Sequence, residues 1–122
     1  MFELKLTTFF SAAHSLRNYK GQCEHNHGHN WEVEVVVSSS DLNDQGMVMD
    51  FKELRELLEG VIESFDHKCL NDIKPFDEVN PTTENISREI YKQLASILPS
   101  GMKVARVTSY ETRGAGATYY EE

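Results

Sequence analysis

The sequence predicts an α+β fold: a four-stranded antiparallel sheet with two helices segregated to one face, in the order β-β-α-α-β-β. Three observations carry this expectation. Apolar residues alternate with polar ones through the N-terminal third, two stripes of helical period fill the middle, and alternation returns after Pro99-Ser100-Gly101. At 122 residues, 39% of them hydrophobic, the chain reads as one domain over residues 1–122, long enough to bury a core.

Residues 2–13 read as the first strand, with Phe2, Leu4 and Leu6 on one face and Glu3, Lys5 and Thr7 on the other. Residues 15–26 are polar and irregular, a loop that carries Cys23. Residues 27–39 form the second strand, with Trp31, Val33, Val35 and Val37 sharing a face with His27 and His29. Ser38 to Gly46 is turn chemistry. Asp50 is an N-cap, with Glu53 in the capping-box position. Phe51, Leu54, Leu57, Leu58, Val61, Ile62 and Phe65 then form the buried stripe of a first helix. Lys68 to Pro81 reads as loop. Thr82 or Thr83 caps a second helix, where Ile86, Ile90, Leu94 and Ile97 repeat along one face. Met102 to Glu111 is the third strand, 112–116 a glycine-rich turn, and Ala117 to Glu121 a short fourth strand. Such a sheet leaves two edges unpaired and one face uncovered. Oligomerisation into a closed barrel would answer both problems.

The net charge of −8 and the lack of a basic run argue against nucleic-acid binding. No apolar run is long enough to span a membrane, and the alternating N-terminus Met1-Phe2-Glu3-Leu4-Lys5-Leu6 is no signal peptide. Two cysteines without framework spacing suggest free thiols in a reducing, cytoplasmic setting.

The stretch Cys23-Glu24-His25-Asn26-His27-Gly28-His29 holds three of the five histidines. His27 and His29 are two apart in a strand, so their imidazoles lie side by side. Gly28 between them leaves room for close approach. His14, at the end of the first strand, brings a third imidazole if the two strands pair. Three histidines without a fourth protein ligand suit a catalytic zinc, whose open position takes water or substrate. The competing reading is that these are solvated or hydrogen-bonded strand histidines. His25 falls in the loop and is left out of the ligand set.

The pieces Phe10-Ser11-Ala12-Ala13-His14, Cys23-x-x-x-His27-Gly28-His29, Gly46-Met47-Val48-Met49-Asp50-Phe51, Asp66-His67-Lys68, Asn80-Pro81-Thr82-Thr83-Glu84-Asn85 and Tyr110-Glu111-Thr112 occur in the order found in one family. Together they resemble the 6-pyruvoyl-tetrahydropterin synthase / 6-carboxy-tetrahydropterin synthase family over essentially the whole chain. The resemblance implies the tunnelling fold, in which trimeric rings close a barrel and two rings stack into a homo-hexamer with active sites at subunit interfaces. It implies 7,8-dihydroneopterin triphosphate as substrate and Zn2+ on His14, His27 and His29. Cys23 matches the general base, a thiolate whose pKa a neighbouring metal would lower. Asp66 and His67 match the pair that completes the relay, the carboxylate orienting the imidazole. Without the resemblance, His67 would read as a helix C-terminal histidine facing the dipole. Glu111 matches the pterin anchor, accepting a ring N–H and an exocyclic amine with one carboxylate. Thr82, Thr83 and Glu84 match a substrate-holding segment, although helix capping explains them equally well. Cys69 has no matching role and reads as a buried apolar filler.

The three residues between Cys23 and His27 resemble the bacterial 6-carboxy branch. That branch cleaves the substrate side chain, releases acetaldehyde and feeds 7-deazapurine synthesis towards queuosine. Cys23-Glu24 also resembles a subgroup serving both queuosine and folate synthesis, the second through 6-hydroxymethyl-7,8-dihydropterin, with Glu24 as a second acid/base group. Arg17, Lys20, Lys68 and Arg113 are the cations available to a triphosphate. A rival of another class is a non-catalytic, zinc-stabilised binding module, in which chelation would unfold the domain.

Overall fold

The computed structural model describes residues 1–17 and 27–122, with His27 described by its backbone alone. In chain order the elements are β1 (Phe2–His14), β2 (His27–Ser39), α1 (Phe51–Ile62), β3 (Lys68–Cys69), α2 (Thr83–Ile97), β4 (Lys103–Thr112) and β5 (Ala115–Tyr119), with a 3-10 turn at Leu70–Asp72. The sheet order is β3-β1-β2-β4-β5. β1–β2, β2–β4 and β4–β5 pair antiparallel, which is the four-stranded sheet the alternation predicts. β3 adds a fifth strand, parallel to β1, in a segment expected to be loop. Two residues are too few to show alternation, so this strand arises from tertiary docking that sequence periodicity does not register.

The strand β2 is central, and its Trp31, Val33, Val35 and Val37 are fully buried. Leu6 and Phe10 of β1 share that core, and the Phe10 ring stacks on Trp31 with centroids 5.9 Å apart. α1 contacts β1 and α2, while α2 packs across β4 and β5. Asp50 caps α1 by accepting Lys52 N–H at 2.8 Å, and Leu54, Leu58, Val61 and Ile62 turn inward. Thr82, not Thr83, caps α2, accepting Asn85 N–H at 3.1 Å.

The predicted stripes run one residue too far at their outer ends. Phe51 is 55% exposed and Ile97 45%, whereas Ile86, Ile90 and Leu94 are fully buried. Helical period continues past the point where the sheet stops offering a surface. The last hairpin is also tighter than expected. Thr112 pairs with Ala115 across a two-residue turn in which Gly114 has φ +85°, so β5 starts at Ala115 rather than Ala117. Gly116 sits inside β5 opposite Tyr110, where an added Cβ would come within 2.5 Å of the Tyr110 ring.

Ile90→Ala should destabilise the fold by about 2–5 kcal/mol, and Ile97→Ala by no more than about 0.5 kcal/mol. Urea unfolding of both variants checks this; equal losses would contradict the assigned face of α2.

Candidate metal centre

The β1–β2 ladder pairs Phe10 with Trp31, Ala12 with His29 and His14 with His27. Directly paired residues share a sheet face, so His14 and His29 continue the buried row begun by Phe10 and Trp31. On the other side of β2, Val33 pairs with Ser109, which puts Ser109 and Glu111 of β4 on this same face. Three chemistry-bearing side chains therefore meet where the apolar row ends.

Their geometry is tight. Glu111 Oε1 lies 3.1 Å from His14 Nε2 and 2.8 Å from His29 Nε2. The three candidate ligand atoms all fall within 4.8 Å of one another. His14 is 2% exposed, while His29 and Glu111 are 20% and 29% exposed, so the group opens outward from its buried member. His14 Nδ1 is 2.8 Å from the carbonyl oxygen of Pro81. A carbonyl only accepts, so Nδ1 carries the proton and neutral His14 presents a lone pair at Nε2. Glu111 presents lone pairs too. His29 Nε2–H can donate to Glu111 Oε1 directly, while the His14 Nε2 contact takes a shared cation or a second imidazole proton.

A tetrahedral site with bonds of about 2.0–2.2 Å spaces its donors by roughly 3.3–3.5 Å. The two contacts to Glu111, at 3.1 and 2.8 Å, are shorter than that spacing, and all three ligand atoms lie within 4.8 Å of one another. Two imidazole nitrogens, one tautomer fixed by a backbone carbonyl, and a carboxylate oxygen form a set that fits a divalent metal. Trp31 holds the rings in place, meeting His14 edge-on at 5.1 Å and His29 at 5.6 Å. Its Nε1 and the Ser109 hydroxyl are buried with no hydrogen-bond partner among the described residues.

Other expected residues fall nearby. Asp66 and His67 dock on the edge of β1: Ser11 N–H donates to Asp66 Oδ1 at 2.9 Å, and His67 N–H donates to Ser11 O at 2.6 Å. His67 takes the left-handed conformation, φ +59°, and its Nδ1 lies 3.1 Å from Asp66 Oδ2. The Asp66–His67 pairing is therefore present, with an imidazole 81% exposed. The Ser11 N–H holds the Asp66 carboxyl below its ordinary range. Partial burial opposes this shift, and the His67 charge adds to it. A cleft of about 450 Å³ is lined by Ser11, Gly28, His29, His67, Lys68 and Cys69. Cys69 is half-buried on that cleft, not a buried core filler. Among the described residues, a Cβ at Gly28 would meet nothing within 4 Å.

Thr82 is occupied as the α2 cap, and Pro81 before it supports His14; Thr83 and Glu84 form the first turn of α2. Arg17 is braced on the carbonyls of Phe76 and Asn71, at 2.7 and 3.4 Å. Arg113 borders a different hollow with Phe9, Glu32 and Tyr110, which leaves Lys68 as the expected cation on the His29 cleft among the described residues. Lys20, Cys23, Glu24 and the His27 side chain lie outside the described residues. Sequence reasoning missed the closeness of Glu111 to the histidines. It depends on β4 lying beside β2, which no local motif encodes.

The family model for 6-pyruvoyl tetrahydropterin synthase matches residues 3–122. The chain belongs to that family. It is 41% identical over 102 residues, covering 84% of this chain and 81% of the relative, to an Archaeoglobus fulgidus protein that bears the name 6-carboxy-5,6,7,8-tetrahydropterin synthase provisionally. It is 37% identical over 102 residues, covering 84% of this chain and 82% of the relative, to the dihydroneopterin monophosphate aldolase of Pyrococcus furiosus. Among solved structures, Caenorhabditis elegans 6-pyruvoyl tetrahydropterin synthase superposes with a TM-score of 0.88 at 27% identity, covering 99% of this chain and 96% of that one. No helix among the described residues is long and apolar enough to cross a membrane. These three similar proteins thus bear three different names.

Because the folded pKa of Asp66 is lowered, its ionised form contributes stability that is complete above the ordinary carboxylate range and lost as pH falls through the lowered value. Wild type should therefore be more stable than Asp66→Asn at neutral pH, the difference shrinking as pH falls through and below the ordinary carboxylate range. Urea unfolding across pH checks this; a difference independent of pH would contradict the Ser11–Asp66 assignment.

Proposed function

We propose that the chain is a zinc-dependent 6-carboxy-5,6,7,8-tetrahydropterin synthase acting on 7,8-dihydroneopterin triphosphate. The convergence of His14, His29 and Glu111 carries this reading, since it joins a metal-binding donor set to the family's pterin-anchoring position. His27 is the third histidine ligand in this account, supported by its register position opposite His14. A zinc ion held there would stabilise negative charge developing on the substrate side chain.

The residues divide the remaining work. Cys23 removes a carbon-bound proton as thiolate, and His67, oriented by Asp66, takes and returns protons. Glu111 accepts the pterin's paired N–H donors, with Thr82, Thr83 and Glu84 beside it at the start of α2. Lys68, on the cleft that His29 borders, faces the triphosphate. Cleavage of the side chain releases acetaldehyde and triphosphate, and a carboxylate remains on the tetrahydropterin. The reading places the chain as one domain in the cytoplasm, in queuosine synthesis. It also assembles the chain as a hexamer of two trimers, which would pair the sheet edges formed by β3 and β5.

A second reading is supported by the aldolase among the relatives and by Glu24 beside Cys23. Here the same pocket also yields 6-hydroxymethyl-7,8-dihydropterin for folate synthesis, with Glu24 moving a second proton.

Zinc-loaded protein incubated with 7,8-dihydroneopterin triphosphate should give 6-carboxytetrahydropterin by chromatography and mass spectrometry. Cys23→Ala should slow turnover by at least about 100-fold. Removing zinc should abolish turnover while circular dichroism stays unchanged. A hydroxymethyl product lost in Glu24→Ala would establish the second reading. No turnover, with unfolding on chelation, would replace both by a zinc-stabilised binding module.

A further inference from the structure

We propose that Asn80 is a positioning residue for the His14 ring, acting through the Pro81 carbonyl. A second carboxamide, Asn71, holds the same stretch of backbone without directing the ring. The effect on metal binding rests on the metal reading above; the orientation of the ring stands apart from it.

β1 ends at His14, yet the chain beyond it is held as a ladder would hold it. Ser15 N–H donates to Asn71 Oδ1, and Asn71 Nδ2 donates back to Ser15 O, both at 2.9 Å. Arg17 N–H donates to Asn80 Oδ1, and Asn80 Nδ2 donates back to Arg17 O, again both at 2.9 Å. A carboxamide carries an acceptor beside a donor group, so it takes the N–H and the C=O of a single residue. A strand partner does the same in a hydrogen-bonded antiparallel pair. The Arg17 guanidinium, bonded to the Phe76 and Asn71 carbonyls, ties down the segment between the two clamps.

One of the clamps leads to the ring. Asn80 is covalently joined to Pro81, whose carbonyl accepts His14 Nδ1–H at 2.8 Å. The direction of that carbonyl has little freedom. The proline ring fixes φ of Pro81. Asn80 is anchored on Arg17 before it, and Thr82 is engaged as the α2 cap after it. Asn85 ties these two flanks together, giving its N–H to Thr82 Oγ1 at 3.1 Å and its side-chain amide to Asn80 O at 2.8 Å. A backbone carbonyl on one imidazole nitrogen fixes how the ring presents the other. In His14 that other nitrogen is Nε2, which faces Glu111 Oε1 at 3.1 Å. Asn71 acts on the backbone one residue past His14, with no part in the Pro81 hydrogen bond.

The two clamps make the same number of bonds at the same length, so Asn80→Ala and Asn71→Ala should lower the urea midpoint alike. Two further readouts separate them. In wild-type apoprotein the His14 Nδ1–H proton, assigned by its loss in His14→Gln, should give a downfield NMR signal protected from exchange with water. Asn80→Ala should lose that protection and Asn71→Ala should keep it. Cobalt(II) alone, titrated by its visible band, should bind Asn80→Ala at least about 10-fold more weakly than wild type, the low end for partners of a metal ligand. Asn71→Ala should change this affinity by much less than about 10-fold. If Asn80→Ala does not fold by circular dichroism, Asn80→Asp replaces it. That variant keeps the bond from Arg17 N–H, loses the bond to Arg17 O, and should show both losses in weaker form. Wild-type protection and affinity in the folded Asn80 variant would overturn the proposal. Equal losses in Asn71→Ala would overturn it too, making both clamps plain supports of the fold. Wild type that binds no cobalt would overturn the metal reading alone, and the proton signal would still decide the role of Asn80.

Discussion

The antiparallel register of β1 on β2 is the constraint on which everything else depends. Pairing Phe10 with Trp31 and His14 with His27 puts histidines and core on one face. A slip of one residue would send every one of those side chains to the opposite face. The register is held by apolar burial, since Trp31, Val33, Val35 and Val37 are all sealed from solvent. The energy that organises the candidate centre is thus ordinary hydrophobic burial, spent along one strand and delivering imidazoles at its end.

Precision comes from a second layer of contacts around the rings. Trp31 packs edge-on against both His14 and His29, with Phe10 stacked behind it. The Pro81 carbonyl, immediately before the Thr82 cap of α2, sets the His14 tautomer. The same loop therefore starts a helix and orients an imidazole. On the far side of β1, Asp66 and His67 bond to Ser11 much as a strand would. The cleft along that edge is lined by His29 and His67.

The parts of this arrangement that were legible in the sequence are those set by neighbours in the chain. The β2 alternation, the Asp50 cap and the Thr82 cap are local signals, and each is where local physics puts it. Phe51 and Ile97 were misplaced because helical period says which face is apolar, not where the sheet beneath it ends. Lys68-Cys69 was read as loop because a two-residue strand is made by its partner. At the centre, His14 and His29 were legible from strand parity. The approach of Glu111 was not, because 82 residues separate it from His29 in a chain where only the β2–β4 pairing joins them. Its role as a pterin contact came from a resemblance of motifs. Its contact with the histidines came from the fold.

The central claim is that His14 and His29 meet beside Glu111 because the two imidazoles hold a metal ion. Anomalous diffraction at the zinc absorption edge, on crystals of the zinc-loaded protein without substrate, tests this most directly. The account predicts one strong peak about 2.0–2.2 Å from His14 Nε2 and His29 Nε2. A peak bound elsewhere, or none at these two nitrogens, would contradict it.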